Sequence, residues 1–212
     1  MILPPLRTRP IIVFNIIKIN IAIFILWMIA IFINPNFMMN NFLVSWEAVM
    51  EGRVWTLLTS VFSHNMFFHI FINMYAFFGF GVVVENMLGP KRFLSFYLWA
   101  GIMASLSHCL VSAFLIGNSS LAALGASGAV SGVILLFSLM FPQERILLLG
   151  IIPIPAFAAS IFIVGLDLWG LFEQTQGSTL PIGHGAHLGG ALYGAIYYLV
   201  KIKKGSNMSY QS

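Results

Sequence analysis

Residues 124–132, LGASGAVSG, place a serine among small residues where a polar stretch, GNSS at 117–120, gives way to the apolar run AVSGVILLFSLMF at 129–141. From Ser127 to Phe141 the chain has 15 residues. As a helix they measure about 22 Å, which is shorter than the roughly 30 Å hydrocarbon core of a bilayer. If this helix lies in a membrane, it begins inside it. The residues before it must then descend as non-helical backbone, which requires surrounding protein or a water-filled cavity.

The whole chain has the composition of an integral membrane protein. Of its 212 residues, 59% are apolar and 8% are charged, and the mean hydropathy is +0.95. We predict an all-α membrane protein with one compact six-helix domain, residues 1–204, and a flexible tail, residues 205–212. A spanning helix needs roughly 20 apolar residues. The runs that meet or approach this length are 11–33, 67–87, 93–116, 127–141, 146–170 and 184–200.

The distribution of cationic residues predicts the orientation of these spans. Eight lie before the first span, after the last, or in alternate connections: Arg7, Arg9, Lys91, Arg92, Arg145, Lys201, Lys203 and Lys204. The opposite connections hold only Arg53. Positively charged loops stay inside, so we expect both termini to be cytoplasmic, with the bilayer and not a nucleic acid as the partner of the positive charge. Because no transit segment or large appended domain is apparent, a prokaryotic plasma membrane is expected.

The first connection, residues 34–66, differs from the others. It is too polar to span, yet it is rich in Trp, Phe and Met. This composition is typical of short helices that lie in the membrane interface.

Polar side chains within three spans converge on one depth. Ser127 and His187 each lie 14 residues from the cytoplasmic end of their span, and Asn73 lies 14 residues before Met87. At 1.5 Å per residue, all three are about 21 Å from that end, and His69 is one turn further out. Polar groups at membrane depth generally face the interior of the bundle. We therefore expect a shared polar layer that opens outward.

Small residues indicate how two of these groups meet. Gly125 permits a backbone conformation that other residues resist, and Gly128 allows a neighbouring helix to approach. Gly190 and Gly194 have the spacing that brings helix backbones together. Close packing of the fourth and sixth spans would move an imidazole towards a hydroxyl, which is weakly nucleophilic until a base takes its proton.

The start of the fourth span completes this predicted site. The first N–H groups of a helix have no intrahelical acceptor and favour negative charge. With the side chains of Asn73 and His69, they can stabilise the oxyanion of an attacked carbonyl. The residues therefore indicate a serine hydrolase with a Ser127–His187 dyad.

Four segments, in this order, resemble the rhomboid family of intramembrane serine proteases. They are HNMFFHIFINM at 64–74, ENMLGPKRF at 85–93, GASG at 125–128 and AHLGGALYG at 186–194. The resemblance implies a six-span rhomboid-like bundle, with Ser127 as nucleophile, His187 as general base, and His69, Asn73 and the Ser127 N–H as oxyanion donors. It also implies transmembrane protein substrates and no cofactor or metal.

The base and its surroundings depart from the family pattern. The family commonly places an aromatic ring four residues after the nucleophile, where this chain has Ser131. We therefore expect His187 either to be held by packing from elsewhere, such as from Tyr193 or Phe172, or to be less rigid. Pro153 and Pro155 are predicted to interrupt the fifth span, which makes that span a candidate moving gate.

The remaining polar residues receive structural interpretations. We expect Glu85 to satisfy backbone donors near the cytoplasmic end of the second span, and His64 to be an interior packing residue. His184 is expected at the interface and His108 within the structural core. Asp167 is a candidate third member of the site, but a dyad requires none, so we do not assign it there.

Two other functions fit parts of the pattern. A membrane metal or haem redox protein is suggested by the H-x4-H and H-x2-H spacings of His64, His69, His184 and His187, because imidazole is a common ligand. That interpretation leaves the GASG helix start unexplained. A non-catalytic binding protein of the same fold is the other alternative, although such a protein would be expected to lack the serine or the histidine.

Overall fold

The computed structural model describes residues 9–148, 152–178 and 182–203. Its α-helices are α1 (Ile11–Ile33), α2 (Pro35–Phe42), α3 (Trp46–Met50), α4 (Thr56–Thr59), α5 (Phe67–Leu88), α6 (Pro90–Leu110), α7 (Ser127–Met140), α8 (Ala156–Thr175) and α9 (His184–Tyr197). A 3-10 turn (Ser60–Phe62) follows α4, and π-helical turns continue α6 (Val111–Leu115) and α9 (Tyr198–Lys203). Two short strands, β1 (Arg145–Leu148) and β2 (Ile152–Pro155), lie between α7 and α8.

The predicted all-α membrane bundle is confirmed. Among the described residues, four helices are long and apolar enough to cross a membrane: α1, α5, α6 with its π-helical extension, and α8. α7 is shorter, with 14 residues, and so measures about 21 Å. The predicted tail, residues 205–212, lies outside the described residues.

α7 is the central helix of the bundle. It contacts α5, α6, α8 and α9, and most of its residues are buried, including Val133 and Leu136, whose exposure is zero. By contrast, α1 and α8 present many large apolar side chains outward, as expected of helices that face lipid. The site at the start of α7 is therefore surrounded by protein.

The second and third spans are separated by a sharp break with a clear local cause. Gly89 ends α5 with a φ of +79°, which favours glycine, and Pro90 is the first residue of α6. Proline suits a first helical position because its missing N–H would have no partner there.

Glu85 fixes the start of α1. Its carboxylate oxygens accept the N–H groups of Ile12 at 3.0 Å and Val13 at 2.8 Å, and its exposed fraction is 1%. α1 is preceded by Pro10, which provides no side-chain cap. The carboxylate predicted to satisfy backbone donors thus does so across helices, at the positive end of α1.

The predicted fifth span begins too early. Residues 145–148 and 152–155 form an antiparallel hairpin in which Arg145 pairs with Pro155, and α8 begins only at Ala156 instead of 146. Pro153 and Pro155 lie in β2, where a two-stranded sheet tolerates them because both strands are edges. The expectation that these prolines interrupt a helix is therefore wrong.

The interfacial first connection has the expected short helices, α2 to α4. Asn34 caps α2 by accepting from the N–H of Phe37, and Ser45 caps α3 by accepting from that of Ala48. Arg53 contacts Asn40 and Glu51 within the same connection.

Candidate active site

The segment before α7 is non-helical, as predicted, and neighbouring elements hold it in place. Ala123 and Val44 exchange both backbone hydrogen bonds, at 2.8 and 2.9 Å. The Nε2–H of His108 donates to the carbonyl of Leu121 at 3.0 Å. The N–H of Gly125 donates to the carbonyl of Ser60 at 2.9 Å. These bonds satisfy polar backbone groups that would otherwise be unpaired at membrane depth.

The turn into α7 depends on Gly125 and on two histidines. Gly125 has a φ of +124°, and a Cβ there would lie 2.7 Å from Cε1 of His69. The rings of His64 and His69 are in edge contact, with centroids 4.8 Å apart. Nε2 of His64 faces the N–H of Ala126 at 3.4 Å. Two predicted site histidines thus line the backbone that carries Ser127.

His64 is completely buried. Burial, with a smaller contribution from the nearby His69, lowers its pKa from 6.5 to about 3. The imidazole is therefore neutral at ordinary pH, which suits it to accept a hydrogen bond from the backbone. The structural role predicted for His64 agrees with this position.

Glycines bring α7 and α9 into backbone contact. A Cβ built on Gly190 would lie 1.8 Å from the carbonyl oxygen of Gly128, and one on Gly194 would lie 2.5 Å from that of Gly132. Both distances are too short for any side chain. Gly128, Gly190 and Gly194 are the glycines predicted for this contact, and Gly132, one turn after Gly128, is a fourth that the sequence pattern did not indicate.

This packing places the predicted nucleophile and base together. Ser127 is the first residue of α7, and His187 lies in the first turn of α9. Their Oγ and Nε2 atoms are 2.9 Å apart. Both residues are partly exposed, and the His187 side chain keeps 20% of its surface. The hydroxyl is therefore within hydrogen-bond distance of an imidazole and is accessible from outside the core.

A carboxylate completes the arrangement. Oδ1 of Asp167, on α8, is 2.8 Å from Nδ1 of His187 and 2.7 Å from Nδ1 of His184. A carboxylate accepts hydrogen bonds, so both Nδ1 atoms carry a proton. In a neutral His187, Nε2 is then unprotonated and faces Ser127. That tautomer is the one that can take the hydroxyl proton.

The contacts of His187 differ from those expected. Among the described residues, the ring contacts of Tyr193 are with Phe96 and Tyr197 and that of Phe172 is with Trp169, whereas the ring in edge contact with His187 is that of His184. Asp167, which had been left out of the site, is hydrogen-bonded to the base. His184, expected at the interface, is buried within the protein, with an exposed fraction of 7% and a bond to Asp167.

Of the predicted oxyanion donors, His69 lies against Gly125, two residues before α7, and Asn73 lies one turn further along α5. Asn73 has an exposed fraction of 4%, and its Nδ2 donates one hydrogen bond to the carbonyl of His69 at 2.9 Å. The second N–H of this amide remains for another acceptor. Ser127, Gly128 and Ala129 occupy the first turn of α7, where backbone N–H groups have no intrahelical acceptor.

The same cluster contains a set of possible metal ligands. One atom each from Asp167, His184 and His187 lies within 4.8 Å of the others. The Nδ1–Oδ1 distances of 2.7 and 2.8 Å are those of hydrogen bonds, whereas ligands of one tetrahedral zinc lie about 3.3 Å apart. An ion would therefore require the three side chains to separate. The four histidines of the metal interpretation fall into two groups, since His64 and His69 contact each other and not Asp167.

Comparisons with known proteins agree with this geometry. The sequence matches the Rhomboid domain family over residues 51–204. RHOMBOID-like protein 12, mitochondrial, of Arabidopsis thaliana is 33% identical over 206 residues, 92% of this chain and 59% of that protein. Rhomboid protein 1, mitochondrial, of Saccharomyces cerevisiae is 32% identical over 199 residues, 87% of this chain and 51% of that protein. The presenilin-associated rhomboid-like protein, mitochondrial, of Rattus norvegicus is 36% identical over 147 residues, 66% of this chain and 36% of that protein.

The chain spans between 36% and 59% of the length of these three relatives. The family match nevertheless covers both Ser127 and His187 and most of the described bundle. The chain is a multi-pass membrane protein that belongs to the rhomboid family.

Proposed function

We propose that this protein is an intramembrane serine endopeptidase that hydrolyses peptide bonds in or beside transmembrane segments of other membrane proteins. The observation that carries the proposal is the 2.9 Å contact between Ser127 Oγ and His187 Nε2 at the start of α7, an apolar helix of 14 residues that is too short to cross a bilayer. A hydroxyl and an unprotonated imidazole at this distance are the minimum required for nucleophilic catalysis by serine.

The reaction follows from that geometry. Ser127 Oγ attacks the carbonyl carbon of the scissile bond while its proton passes to His187 Nε2. The tetrahedral intermediate collapses, the C–N bond breaks, and His187 returns the proton to the leaving amine. Water, deprotonated by His187, then attacks the ester carbonyl, and the proton goes back to Ser127 as the acid product leaves.

The negative charge of each tetrahedral intermediate forms next to the amino end of α7. The first backbone N–H groups of α7 and the free amide N–H of Asn73 are the proposed donors, with His69 beside them. Such donors act most strongly where water is largely excluded, and removing one costs roughly 10²–10³ in kcat.

The substrate class rests on where the site lies. A hydroxyl at the start of the central helix of a membrane bundle is positioned for a peptide that is itself in the membrane. A peptide bond can be attacked only where the substrate backbone is not helical. We therefore propose segments with small or helix-breaking residues as the sites of cleavage.

The orientation proposal rests on the cationic residues alone. Arg92 lies in the first turn of α6, and Arg145 lies between α7 and α8, so both connections belong on the positively charged side of the membrane. The sequence predicted a prokaryotic plasma membrane, whereas the three relatives above are named as mitochondrial. Those names do not support that prediction. The orientation itself does not depend on which membrane it is.

A fluorophosphonate probe tests the proposed chemistry in detergent or liposomes. We expect a covalent adduct on Ser127 that is absent in Ser127→Ala and reduced by about 10³-fold or more in His187→Ala. Ser138→Ala is the matched control. Ser138 lies on the same helix, is buried, and its hydroxyl has no hydrogen-bond partner among the described residues.

Cleavage of a model transmembrane substrate completes the test. A wild-type protein that neither reacts with the probe nor cleaves any transmembrane peptide would favour the non-catalytic binding protein. Labelling that persists in Ser127→Ala would contradict the assignment of the nucleophile.

A further inference from the structure

We propose that Asp167 and His184 are positioning residues of the hydrolytic site, so that the serine and base operate as part of a hydrogen-bonded chain of four residues, Ser127–His187–Asp167–His184. This inference rests on the proposed function and concerns how the base is held. It assigns a role to the acidic residue of α8, which a two-residue mechanism does not require.

Asp167 sets the tautomer of His187. A neutral imidazole carries its proton on Nδ1 or on Nε2, and the hydrogen bond made by one nitrogen decides the state of the other. The Asp167 carboxylate, at 2.8 Å, keeps the proton of His187 on Nδ1. Without that acceptor, His187 can protonate Nε2 and donate to Ser127, an arrangement in which the base cannot accept the serine proton.

Asp167 also stabilises the positive charge that His187 acquires during the reaction. When His187 takes the proton of Ser127, it becomes a cation at a site that is largely surrounded by apolar residues. A carboxylate hydrogen-bonded to the opposite side of the ring stabilises that cation, and it does so more effectively than in water. Asp167 does not need to take the proton, and in serine hydrolases with three residues the acid does not.

Asp167 is itself held in place. Its side chain keeps 10% of its surface and that of His184 keeps 9%, so water cannot solvate the carboxylate freely. His184 Nδ1–H supplies the second hydrogen bond at 2.7 Å. A buried carboxylate with two charge-assisted hydrogen bonds has far less freedom than one with a single bond. His184 therefore holds Asp167 in place, and Asp167 in turn orients His187.

The backbone of α8 makes room for this second histidine. A Cβ at Gly170 would lie 2.2 Å from Nε2 of His184 and 2.3 Å from its Cε1. Asp167 and Gly170 are three residues apart and so lie on the same face of α8. One face of α8 thus provides both the carboxylate and the space for the ring that bonds to it.

The chain also explains why such a device is useful here. Ser131, four residues after the nucleophile, carries no ring, and among the described residues the rings of Tyr193 and Phe172 pack elsewhere. A hydrogen bond specifies both the direction and the tautomer of an imidazole, whereas ring packing specifies only its plane. Asp167 therefore supplies what packing at residue 131 does not.

The test uses the full chain in liposomes, with kcat and KM measured on a transmembrane peptide. Asp167→Leu keeps a side chain of suitable size and suits an apolar helix, but it removes the acceptor. We expect kcat to fall by roughly 10²–10⁴-fold, with KM changed by less than about threefold. Ser160→Ala is the matched control on the same helix, since Ser160 is buried and bonds only within α8, to the Phe157 carbonyl; its kcat should equal that of the wild type.

His184 is tested by a pair of substitutions. His184→Phe keeps a ring but removes the donor, and we expect kcat to fall by roughly tenfold, the effect of one hydrogen bond to a charged group. His184→Asn restores an N–H near the position of Nδ1, and most of the lost kcat should return. If His184→Asn and His184→Phe are equally impaired, the hydrogen bond to Asp167 is not the function of His184.

The tautomer is measured independently of activity. In protein labelled with ¹⁵N-histidine, the His187 signal, assigned by its loss in His187→Ala, should show a proton on Nδ1 in the wild type and a mixture in Asp167→Leu. A proton on Nε2 in the wild type, or a wild-type kcat in Asp167→Leu, would overturn the inference while leaving the protease proposal intact. If Ser127 of the wild type does not react with the probe, the protease proposal is overturned instead. The tautomer of His187 would still show whether Asp167 orients this ring.

Discussion

Replacing Gly190 with alanine tests whether glycine packing sets the geometry of the site. The added Cβ would lie 1.8 Å from the carbonyl oxygen of Gly128 and 2.6 Å from its carbonyl carbon. Real Cβ contacts stay above 3.0 Å, so α7 and α9 must separate by about 1.2 Å. The obstructing atoms are backbone, and no side-chain rotation can relieve the clash.

The same displacement acts on the reacting groups. Gly128 follows Ser127 directly, and Gly190 lies one turn after His187, so the separation is transmitted to the 2.9 Å contact between Oγ and Nε2. Lengthened by about 1.2 Å, that contact is no longer a hydrogen bond. We expect the rate of probe labelling to fall by roughly 10²-fold, and the free energy of unfolding to fall by about 1–3 kcal/mol, as for other overpacked interiors.

The assay compares probe labelling and thermal unfolding in the same detergent. Gly79→Ala, on α5, and Gly165→Ala, on α8, are matched controls, because a Cβ at either position meets nothing within 4 Å. Both should label like the wild type and be as stable or slightly more so. If Gly190→Ala labels at the wild-type rate, close contact of α7 and α9 does not set the distance between nucleophile and base, and the reasoning is refuted.

Three further predictions concern the surroundings of the site. Asn73→Ala should lower kcat by about 10²-fold with little change in KM, as loss of one oxyanion donor does; an unchanged kcat would remove Asn73 from that role. Glu85→Gln should lower the free energy of unfolding by about 2 kcal/mol, because the amide keeps only one acceptor oxygen, so one of the two hydrogen bonds at the start of α1 is lost and the other loses its charge; Glu47→Gln, at an exposed residue, should not. His64 has a folded pKa of about 3, below its unfolded value of 6.5, so it contributes full stability above about pH 6.5 and progressively less as the pH falls towards 3. At pH 5 the loss is about 2 kcal/mol; thermal unfolding of the wild type should therefore depend on pH more steeply than that of His64→Gln, and equal slopes would contradict the prediction.

Much of the fold could be predicted because each signal was local and strong. The first and second spans begin where their apolar runs begin, at Ile11 and Phe67. The start of α7 at Ser127 followed from a run too short to cross a bilayer, preceded by glycine and polar residues. The contact of α7 with α9 followed from the spacing of Gly190 and Gly194, since only small residues permit backbones to approach so closely.

The start of α8 could not be predicted in the same way. Residues 146–155 are as apolar as the helix that follows, and hydropathy alone does not distinguish a strand from a buried helix. The distinguishing signal was present in Pro153 and Pro155, two residues that a helix interior excludes. They were interpreted as a kink within a span, whereas they mark a segment that is not helical.

That boundary error also removed the depth argument for Asp167, a candidate that was left out of the site because a dyad requires no third member. Counted from residue 146, Asp167 is 21 residues along a helix, about 31 Å, which places it at the far edge of the membrane. Counted from Ala156, where α8 begins, it is about 16 Å along, well inside. An ionisable residue at that depth is a functional candidate by default. A correct helix start would therefore have placed Asp167 near the layer of Ser127 and His187.

The position of Asp167 also limits how α8 can act as a gate. Only four residues of this helix are buried, Ala156, Ala159, Ser160 and Asp167, so it has little packing to hold it against the bundle. Yet Oδ1 of Asp167 orients the base, and a displacement of α8 by even 1 Å would lengthen the 2.8 Å bond to His187 beyond hydrogen-bond range. If α8 moves to admit a substrate, it must return before Ser127 can attack. Access and activation would then be successive states of one helix, and a crosslink that fixes α8 against α9 should preserve probe labelling by small fluorophosphonates while blocking cleavage of transmembrane peptides.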